Sequence, residues 1–205
     1  EGQGIVYDDA QETYTARYTN ETIALAFSLT EEAVEDNLYD KISTRYTKAL
    51  ARSMANTKQV KGSNVLNNST TATYTGGDGV VLLSAAHPTL SGNQTNLLTT
   101  AADLNETSLE AALIQIADMK DERGLKIALR GMKLILPVNL QFVAERLLNS
   151  AGRVGTADND INAIKSMGMV PQGYVINNFL TDTDAWYVKT DAPNGLKHFN
   201  RAPIR

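Results

Sequence analysis

The pattern of apolar and polar positions divides the chain into a polar N-terminal segment, one long helix, a polar connecting region and a mixed C-terminal half. The helix is predicted over residues 28–61, a stretch without Pro or Gly. Its apolar residues form a stripe on one helical face, which predicts that this face packs against other structure. Ser28 and Glu31 have the spacing of a capping box, and Gly62 is expected to end the helix. The stripe consists of Val34, Leu38, Ile42, Tyr46, Ala49, Leu50, Met54 and Val60.

Charge along this helix is separated into an acidic first half and a basic second half. The acids lie between Glu31 and Asp40, and the bases lie between Lys41 and Lys61. Few opposite charges stand four positions apart, so the two ends are not neutralised within the helix. Either this is a solvated face that suits the helix dipole, or the two ends meet complementary surfaces on neighbouring copies of the chain.

The first 27 residues alternate polar and apolar positions and are rich in Thr and Tyr, which is typical of strands. Two strands are predicted, at residues 4–8 and 12–27, joined by a turn through residues 8–11. The second run has no strong hydrophobic face, and an isolated hairpin is marginal in water. We therefore expect an arm that lies on another surface, and we favour the surface of a neighbouring subunit.

Residues 64–108 are poor in charge and dense in Asn, Thr, Ser and Gly. One buried strand is predicted in this region, from Val80 to Ser84, and turns are predicted at His87–Pro88 and Gly92–Asn93. A loop region of this length is uncommon in a compact domain unless it is functional, and low-complexity disorder is the alternative interpretation.

From residue 108 onward the pattern is that of an α/β lobe. A helix is predicted over residues 109–119, capped by Asn105 or Thr107, because its apolar residues recur on one face. The other predicted elements are strands at 125–129 and 132–138, a helix at 140–148 after Pro137, a short helix that ends at Gly168, and strands at 174–177 and 185–189.

Composition narrows the class of protein. With 205 residues, of which 42% are hydrophobic, the chain can bury one good core, or two smaller lobes that share the helix. The net charge of −4 excludes a strongly basic nucleic-acid-binding domain. The absence of Cys excludes disulfides, thiol catalysis and Cys-based metal sites. No apolar run reaches the roughly 20 residues that span a bilayer, so no membrane partner is expected.

A search for catalytic or ligand-binding motifs finds no convincing set of residues. His87 and His198 lie far apart in sequence, and His87 is interpreted as a turn residue with a satisfied ring. The Asp-Asn-Asp cluster at residues 158–160 lacks the Gly and the final Glu of a calcium loop. Asp182 and Asp184 are interpreted as a solvated turn. Phosphate-binding and hydrolase motifs are also absent, so we expect no enzyme and assign no catalytic, cofactor-binding or metal residues.

Two stretches of the chain resemble a known protein family. The first is LSAAHPTL, residues 83–90, followed by Gly92, Asn93 and Asn96. The second is the helix ending at Met119, followed by residues 120–124 and by KLILPVNLQFVAERLLNS. Both resemble segments of the major capsid proteins of tailed phages, in the branch of the Mu-like major head subunit. The order of the predicted elements is also similar to that of the HK97-type capsid fold.

The resemblance implies an α+β fold of the HK97-like capsid type, with an extended β-hairpin arm (E-loop), a long spine helix, a peripheral domain and an axial α/β domain. Carried onto this chain, the arm is residues 1–27, and the spine helix and peripheral domain are residues 28–103. The axial domain is residues 104–190, and residues 191–205 return toward the peripheral domain. The chain begins without Met, and the resemblance implies a further C-terminal portion, so the chain is expected to be incomplete at both ends.

The function implied by the resemblance is that of a major capsid subunit, which self-assembles into an icosahedral shell around phage DNA. Its implied partners are copies of itself in hexamers and pentamers, then scaffold, portal or cement proteins, with packaged DNA bound only weakly and non-specifically. The implied location is the virion, after assembly in the host bacterial cytoplasm. The first lysine is Lys41, so Lys–Asn cross-linking from the arm, which part of the family uses, is not expected. The rival hypotheses are a non-enzymatic binding or adhesion module with a β-hairpin arm, and a small α/β enzyme.

Overall fold

The computed structural model describes residues 14–36, 39–153 and 160–201. Its helices are α1 (Glu31–Glu35), α2 (Tyr39–Asn67), α3 (Glu106–Ala117), α4 (Gln141–Asn149) and α5 (Ala163–Ser166), with a 3-10 helix at Val138–Leu140. Its strands are β1 (His87–Thr89), β2 (Gly92–Gln94), β3 (Gly131–Leu136), β4 (Tyr174–Ile176) and β5 (Tyr187–Thr190). The described residues therefore form a mixed α+β protein with small sheets, which confirms the predicted class at that level.

The hydrophobic core is confined to the C-terminal half. Strand β3 lies at the centre of a three-stranded sheet, with β4 parallel to it on one side and β5 antiparallel on the other. The apolar faces of α3 and α4 pack on this sheet, as the spacing of apolar residues along both helices requires. Every buried apolar side chain of the described residues lies between Leu104 and Val170. The C-terminal half thus supplies the core on its own.

Gly131 allows α3 and β5 to approach the start of β3 closely. A Cβ at this position would lie 2.5 Å from Leu113 Cδ2 and 3.2 Å from Val188 Cγ1. Leu113 is itself buried, so it cannot move aside without disturbing the core.

Gly131→Ala is therefore expected to lower the free energy of unfolding by about 1–3 kcal/mol, through overpacking. Denaturant unfolding followed by circular dichroism measures this change. The matched control is Gly62→Ala, because a Cβ at Gly62 would meet nothing within 4 Å. Equal midpoints for the two variants would show that the approach at Gly131 is not tight.

The long helix begins and ends later than predicted. Thr30, not Ser28, is the N-cap of α1, and its hydroxyl accepts a hydrogen bond from the Ala33 N–H at 3.4 Å. A hydroxyl at residue 30 places both following glutamates in the first turn, where the helix dipole favours them. The described part of the predicted helix consists of α1 and α2, and residues 37 and 38 lie outside the described ranges.

The C-terminal end of α2 runs past Gly62 because its last turn is held by the C-terminal lobe. Asn67 Nδ2 donates to the Phe179 carbonyl at 3.0 Å, and Asn67 Oδ1 accepts from the Thr181 N–H at 3.1 Å. Ser63, which is buried, exchanges hydrogen bonds with the Asn177 side chain. These polar contacts outweigh the weak helix propensity of one exposed glycine.

Asn67→Ala is expected to lower the free energy of unfolding by about 1–2 kcal/mol, because it leaves a carbonyl and an N–H of residues 179–181 without partners. Hydrogen exchange at residues 60–67 should accelerate at the same time, since the end of α2 would be released from the lobe. Asn178→Ala is the control at a neighbouring exposed position. Unchanged protection of α2 in Asn67→Ala would contradict this account of the junction.

The predicted burial of the helical stripe is not found in the described side chains. Val34 and Tyr46 are half exposed, whereas Leu50, Met54 and Val60 are only partly covered. The side chains of Leu38 and Ile42 lie outside the described part of the chain. No core layer of the described residues packs along this face, which explains why its apolar residues remain accessible.

The connecting region differs from its prediction in two places. Val80–Ser84 is not a strand, since its pairing is limited to one isolated bridge between Thr75 and Val81. Asn96 satisfies this segment instead, accepting from the Ser84 N–H at 2.8 Å and donating to the Leu82 carbonyl at 2.7 Å. A strand needs a continuous partner strand for its backbone hydrogen bonds. Here the side-chain amide of Asn96 makes two hydrogen bonds in place of such a partner.

The predicted turns at residues 87–88 and 92–93 are wrong in position. These residues form the paired strands β1 and β2, and the chain reverses between them at Leu90 and Ser91. Gly92 has a φ of 114°, which favours glycine directly after the reversal. The structure thus has one reversal, at residues 90–91, which lies between the two predicted turns.

Most elements of the C-terminal half are confirmed, with shifted ends. Asn105 caps α3 in a capping box with Ser108, and Gly168 follows α5 with a φ of 62°. The strands predicted at 132–138, 174–177 and 185–189 correspond to β3, β4 and β5, and the helix predicted at 140–148 corresponds to the 3-10 helix and α4. The strand predicted at 125–129 is wrong, because Ala128 adopts a left-handed φ of 55° that interrupts an extended run.

The N-terminal segment does not form the predicted second strand. Residues 14–30 contain neither helix nor strand, because they have no adjacent strand to pair with. The predicted first strand and the turn at residues 8–11 lie outside the described residues.

Candidate functional surface

The polar residues singled out in the sequence do not converge on one site. Among the described residues, no group of three His, Cys, Asp or Glu side chains is placed to hold a metal ion. Residues 158 and 159 lie outside the described ranges, and Asp160 is exposed. Asp182 accepts from the Asp184 N–H at 3.2 Å, so its carboxylate serves the turn that contains both residues. His198 is exposed in the C-terminal segment. No helix within the described ranges is long and apolar enough to cross a membrane.

His87 forms a pair with Asp78 that sequence reasoning missed. His87 Nδ1 lies 2.6 Å from Asp78 Oδ2, and Asp78 Oδ1 also accepts from the Val80 N–H at 3.2 Å. His87 Nε2 is buried without a hydrogen-bond partner, so the expectation of a satisfied ring holds for one nitrogen only. The two residues are nine positions apart and meet because the chain reverses between them, a feature that residue spacing did not show. The pair ties the glycine-rich turn at residues 76–79 to β1.

Burial alone would raise the pKa of Asp78, but the hydrogen bonds from His87 and Val80 outweigh it and lower that pKa below 3.8. The ionised carboxylate therefore adds stability above the unfolded-state pKa, and this stability is lost as the pH falls through the folded-state pKa. We expect the stability advantage of wild type over Asp78→Asn to be fully present above the ordinary pKa of Asp and to shrink as the pH falls below it, through the lowered folded-state pKa. Thermal unfolding across this range measures it. A difference that grows in acid would contradict this assignment.

Residues 14–29, which we call the arm segment, run back along α2 of their own subunit. The Tyr14 hydroxyl donates to the Pro88 carbonyl at 3.0 Å. The backbone of Thr15 and Ala16 crosses so close to Gly77 that a Cβ there would lie 3.1 Å from the Thr15 carbonyl oxygen. The side-chain contacts, from the end of the arm segment back toward its start, are Phe27 with Tyr46, Glu21 with Lys61, and Tyr18 with Phe199.

These contacts are weak because they lie in water. The Glu21 and Lys61 side chains are 68% and 39% exposed, and ion pairs of this kind contribute about 0–1 kcal/mol. The two ring pairs have centroids 5.1 and 5.6 Å apart, and aromatic pairs contribute about 0.5–1.5 kcal/mol each beyond their buried area. The arm segment is therefore a thin strap on α2, not a layer of the core.

The inner side of the arm segment fits α2 imperfectly. A groove of about 250 Å³ remains between residues 22–25 and the helix positions Ser53, Met54 and Thr57. Leu25 is 53% exposed although it borders this groove. A second groove, of about 310 Å³, lies between β2 and the loop after α3 and has mainly polar residues around it.

Large hydrophobic side chains are frequent on the outer surface of the described residues. Of the described residues, twenty large hydrophobic side chains are exposed, against twelve buried hydrophobic side chains in the core. Five of the exposed ones lie in the arm segment: Tyr14, Tyr18, Leu25, Phe27 and Leu29. Single exposed hydrophobic residues are ordinary, but so many in one short segment are typical of an interaction surface.

These exposed hydrophobic side chains are therefore the candidate functional surface of the described part of the chain. The two grooves described above are both open to solvent.

Comparison with known proteins gives one match. A model of a protein family described as "Phage capsid protein" matches residues 13–204. No curated protein and no solved structure matches the chain. The family match spans every helix and strand described above.

Proposed function

Because the chain belongs to the phage capsid protein family, we propose that it is a major capsid subunit that self-assembles into the icosahedral shell around phage DNA. The family is structural and non-enzymatic, so the function lies in the surfaces of the subunit. The observation that carries the proposal is the set of twenty large hydrophobic side chains that the described residues expose, five of them in the arm segment. In a shell, neighbouring copies would cover these side chains.

We assign the subunit to the HK97-type capsid fold, in the Mu-like major head subunit branch. Three features support this assignment. A long helix α2 follows an arm segment with no core of its own, and α2 contacts the C-terminal lobe mainly at its last turn. The core is confined to that lobe. The proposed parts are the arm at residues 1–27, the spine helix and peripheral domain at 28–103, the axial domain at 104–190 and the return segment at 191–205.

The proposed partners follow from this role. Copies of the chain would associate as hexamers and pentamers, with scaffold, portal or cement proteins as further partners. The net charge of −4 disfavours tight binding of phosphates, which suits a shell that holds DNA without adhering to it. The proposed location is the virion, after assembly in the host bacterial cytoplasm.

The deciding experiment is the particle size of the purified protein, measured by light scattering and negative-stain imaging over a range of concentration and salt. Hollow, regular shells are the expected result. A monodisperse monomer under every assembly condition would contradict the proposal and favour the binding or adhesion module instead. Salt also separates the two interpretations of the charged helix, because assembly that depends on unlike charges weakens as ionic strength rises.

A further inference from the structure

Resting on the proposed capsid function, we propose that the position of the arm segment on its own subunit is an assembly-inhibited state. In this state residues 14–29 occupy α2 in cis, and the subunit joins a shell only after they leave it. The device is an intramolecular strap that regulates when free subunits become competent to assemble.

The first argument is that the strap is held in place by groups that water can reach. Its ion pair, Glu21 with Lys61, is exposed on both sides, and the rings of Tyr18 and Phe199 are both more than half exposed. Such contacts form and break readily, because water replaces them at little cost. The strap thus contacts α2 but is bound to it only weakly.

The second argument is that the cis position leaves the apolar side chains of the strap incompletely buried. The groove beside Ser53, Met54 and Thr57 remains unfilled. Leu25, which borders this groove, stays accessible to water, and so do Tyr18 and Phe27 although their rings contact other rings. A segment in its final position would bury most of its apolar side chains, whereas this one does not.

The third argument concerns competition. A segment attached to the same chain acts as an intramolecular ligand for α2, at an effective concentration on the order of millimolar. Free neighbours in dilute solution cannot displace such a segment from α2. Neighbours already placed side by side in a growing shell reach comparable local concentrations, so replacement of the strap on α2 by a neighbouring copy becomes favourable there. The strap would therefore suppress premature association of free subunits. It would leave α2 as the shell grows.

A reversible cross-link tests this inference directly. Because the sequence contains no Cys, the reagent reacts only with thiols introduced by mutation. In the full chain Glu21→Cys and Lys61→Cys are combined, and the two thiols are joined at low protein concentration by a short bis-maleimide with a cleavable disulfide in its spacer. We expect the joined subunit to stay folded and to form about tenfold fewer shells or less, because the strap is held in its intramolecular site. Adding a reductant should restore assembly.

The controls separate this device from the capsid proposal itself. The double variant without the reagent and the single variant Glu21→Cys with the reagent should both assemble. If they form no shells, and the wild type forms none, the capsid function fails. If the joined subunit assembles as well as the controls, the strap stays on its own subunit in the shell and the present inference is overturned.

A second variant acts in the opposite direction. Gly77→Ala places a Cβ within 3.1–3.3 Å of the backbone of Thr15 and Ala16, which should push the strap away from the body. We expect faster hydrogen exchange at residues 14–27 and a shorter lag before shells appear in light scattering. Gly62→Ala, whose Cβ meets nothing, should change neither. Faster exchange with an unchanged or longer lag would overturn the inference.

Discussion

Leu134→Ala is expected to lower the free energy of unfolding by about 3–5 kcal/mol, the largest loss of stability among the changes considered. Leu134 is fully buried at the centre of β3, between Tyr174 of β4 and Val188 of β5 in register. The described core is small, so a cavity at its centre cannot be filled by neighbours without loss elsewhere. Because domains of this size are only marginally stable, the variant should be largely unfolded at moderate denaturant concentration.

Chemical denaturation of the unassembled subunit measures this loss. The matched control is Ile135→Ala, on the opposite face of the same strand, where the side chain is only partly buried. Its loss of stability should be clearly smaller, since fewer apolar contacts disappear. Equal losses at the two positions would mean that β3 is not the centre of the core.

Tyr18→Asp is expected to abolish or severely reduce shell formation while lowering the stability of the subunit by no more than about 1.5 kcal/mol, the contribution of one aromatic pair. Tyr18 is 68% exposed and its ring meets Phe199, which is itself exposed. A charge at this position costs the free subunit little, because the group remains in water. The same charge in an interface between copies would be desolvated without a partner, which is costly.

Two measurements on the same preparation are needed, namely unfolding of the free subunit and shell yield by light scattering. Asn20→Asp is the matched control, because it adds the same charge to the same segment without removing an aromatic ring. It should retain most of the shell yield. If Tyr18→Asp instead unfolds the subunit, the arm segment belongs to the core of its own subunit and the proposal of an assembly surface fails.

Leu134 lies in a part of the chain that the local sequence predicted well, whereas Tyr18 lies in a part that it predicted poorly. The C-terminal lobe was predicted well because its signals act over short distances. The apolar run along β3, the cap at Asn105 and the stop at Gly168 each depend on a few neighbouring residues. The lobe also buries its own apolar faces, so those local signals all agree with its tertiary packing.

Elsewhere the predictions failed where a segment is held by hydrogen bonds from residues that are distant in sequence. Asn96 replaced a strand partner for residues 82–84, and residues 179–181 carried α2 past Gly62. His87 and Asp78 met through a reversal of the chain that their spacing did not show. Hydrogen bonds between residues far apart in sequence have no periodic pattern, so a reading of apolar and polar positions misses them.

The sequence by itself determined the mixed α+β class, the core lobe and the resemblance to phage capsid proteins, because apolar periodicity and short motifs act locally. The tertiary structure decided where α2 ends, that the arm segment lies on its own subunit, and that the stripe on α2 stays accessible. The physical reason is that a pattern shows which residues favour burial, whereas the surface that buries them depends on how the whole chain, and any neighbouring copy, is arranged.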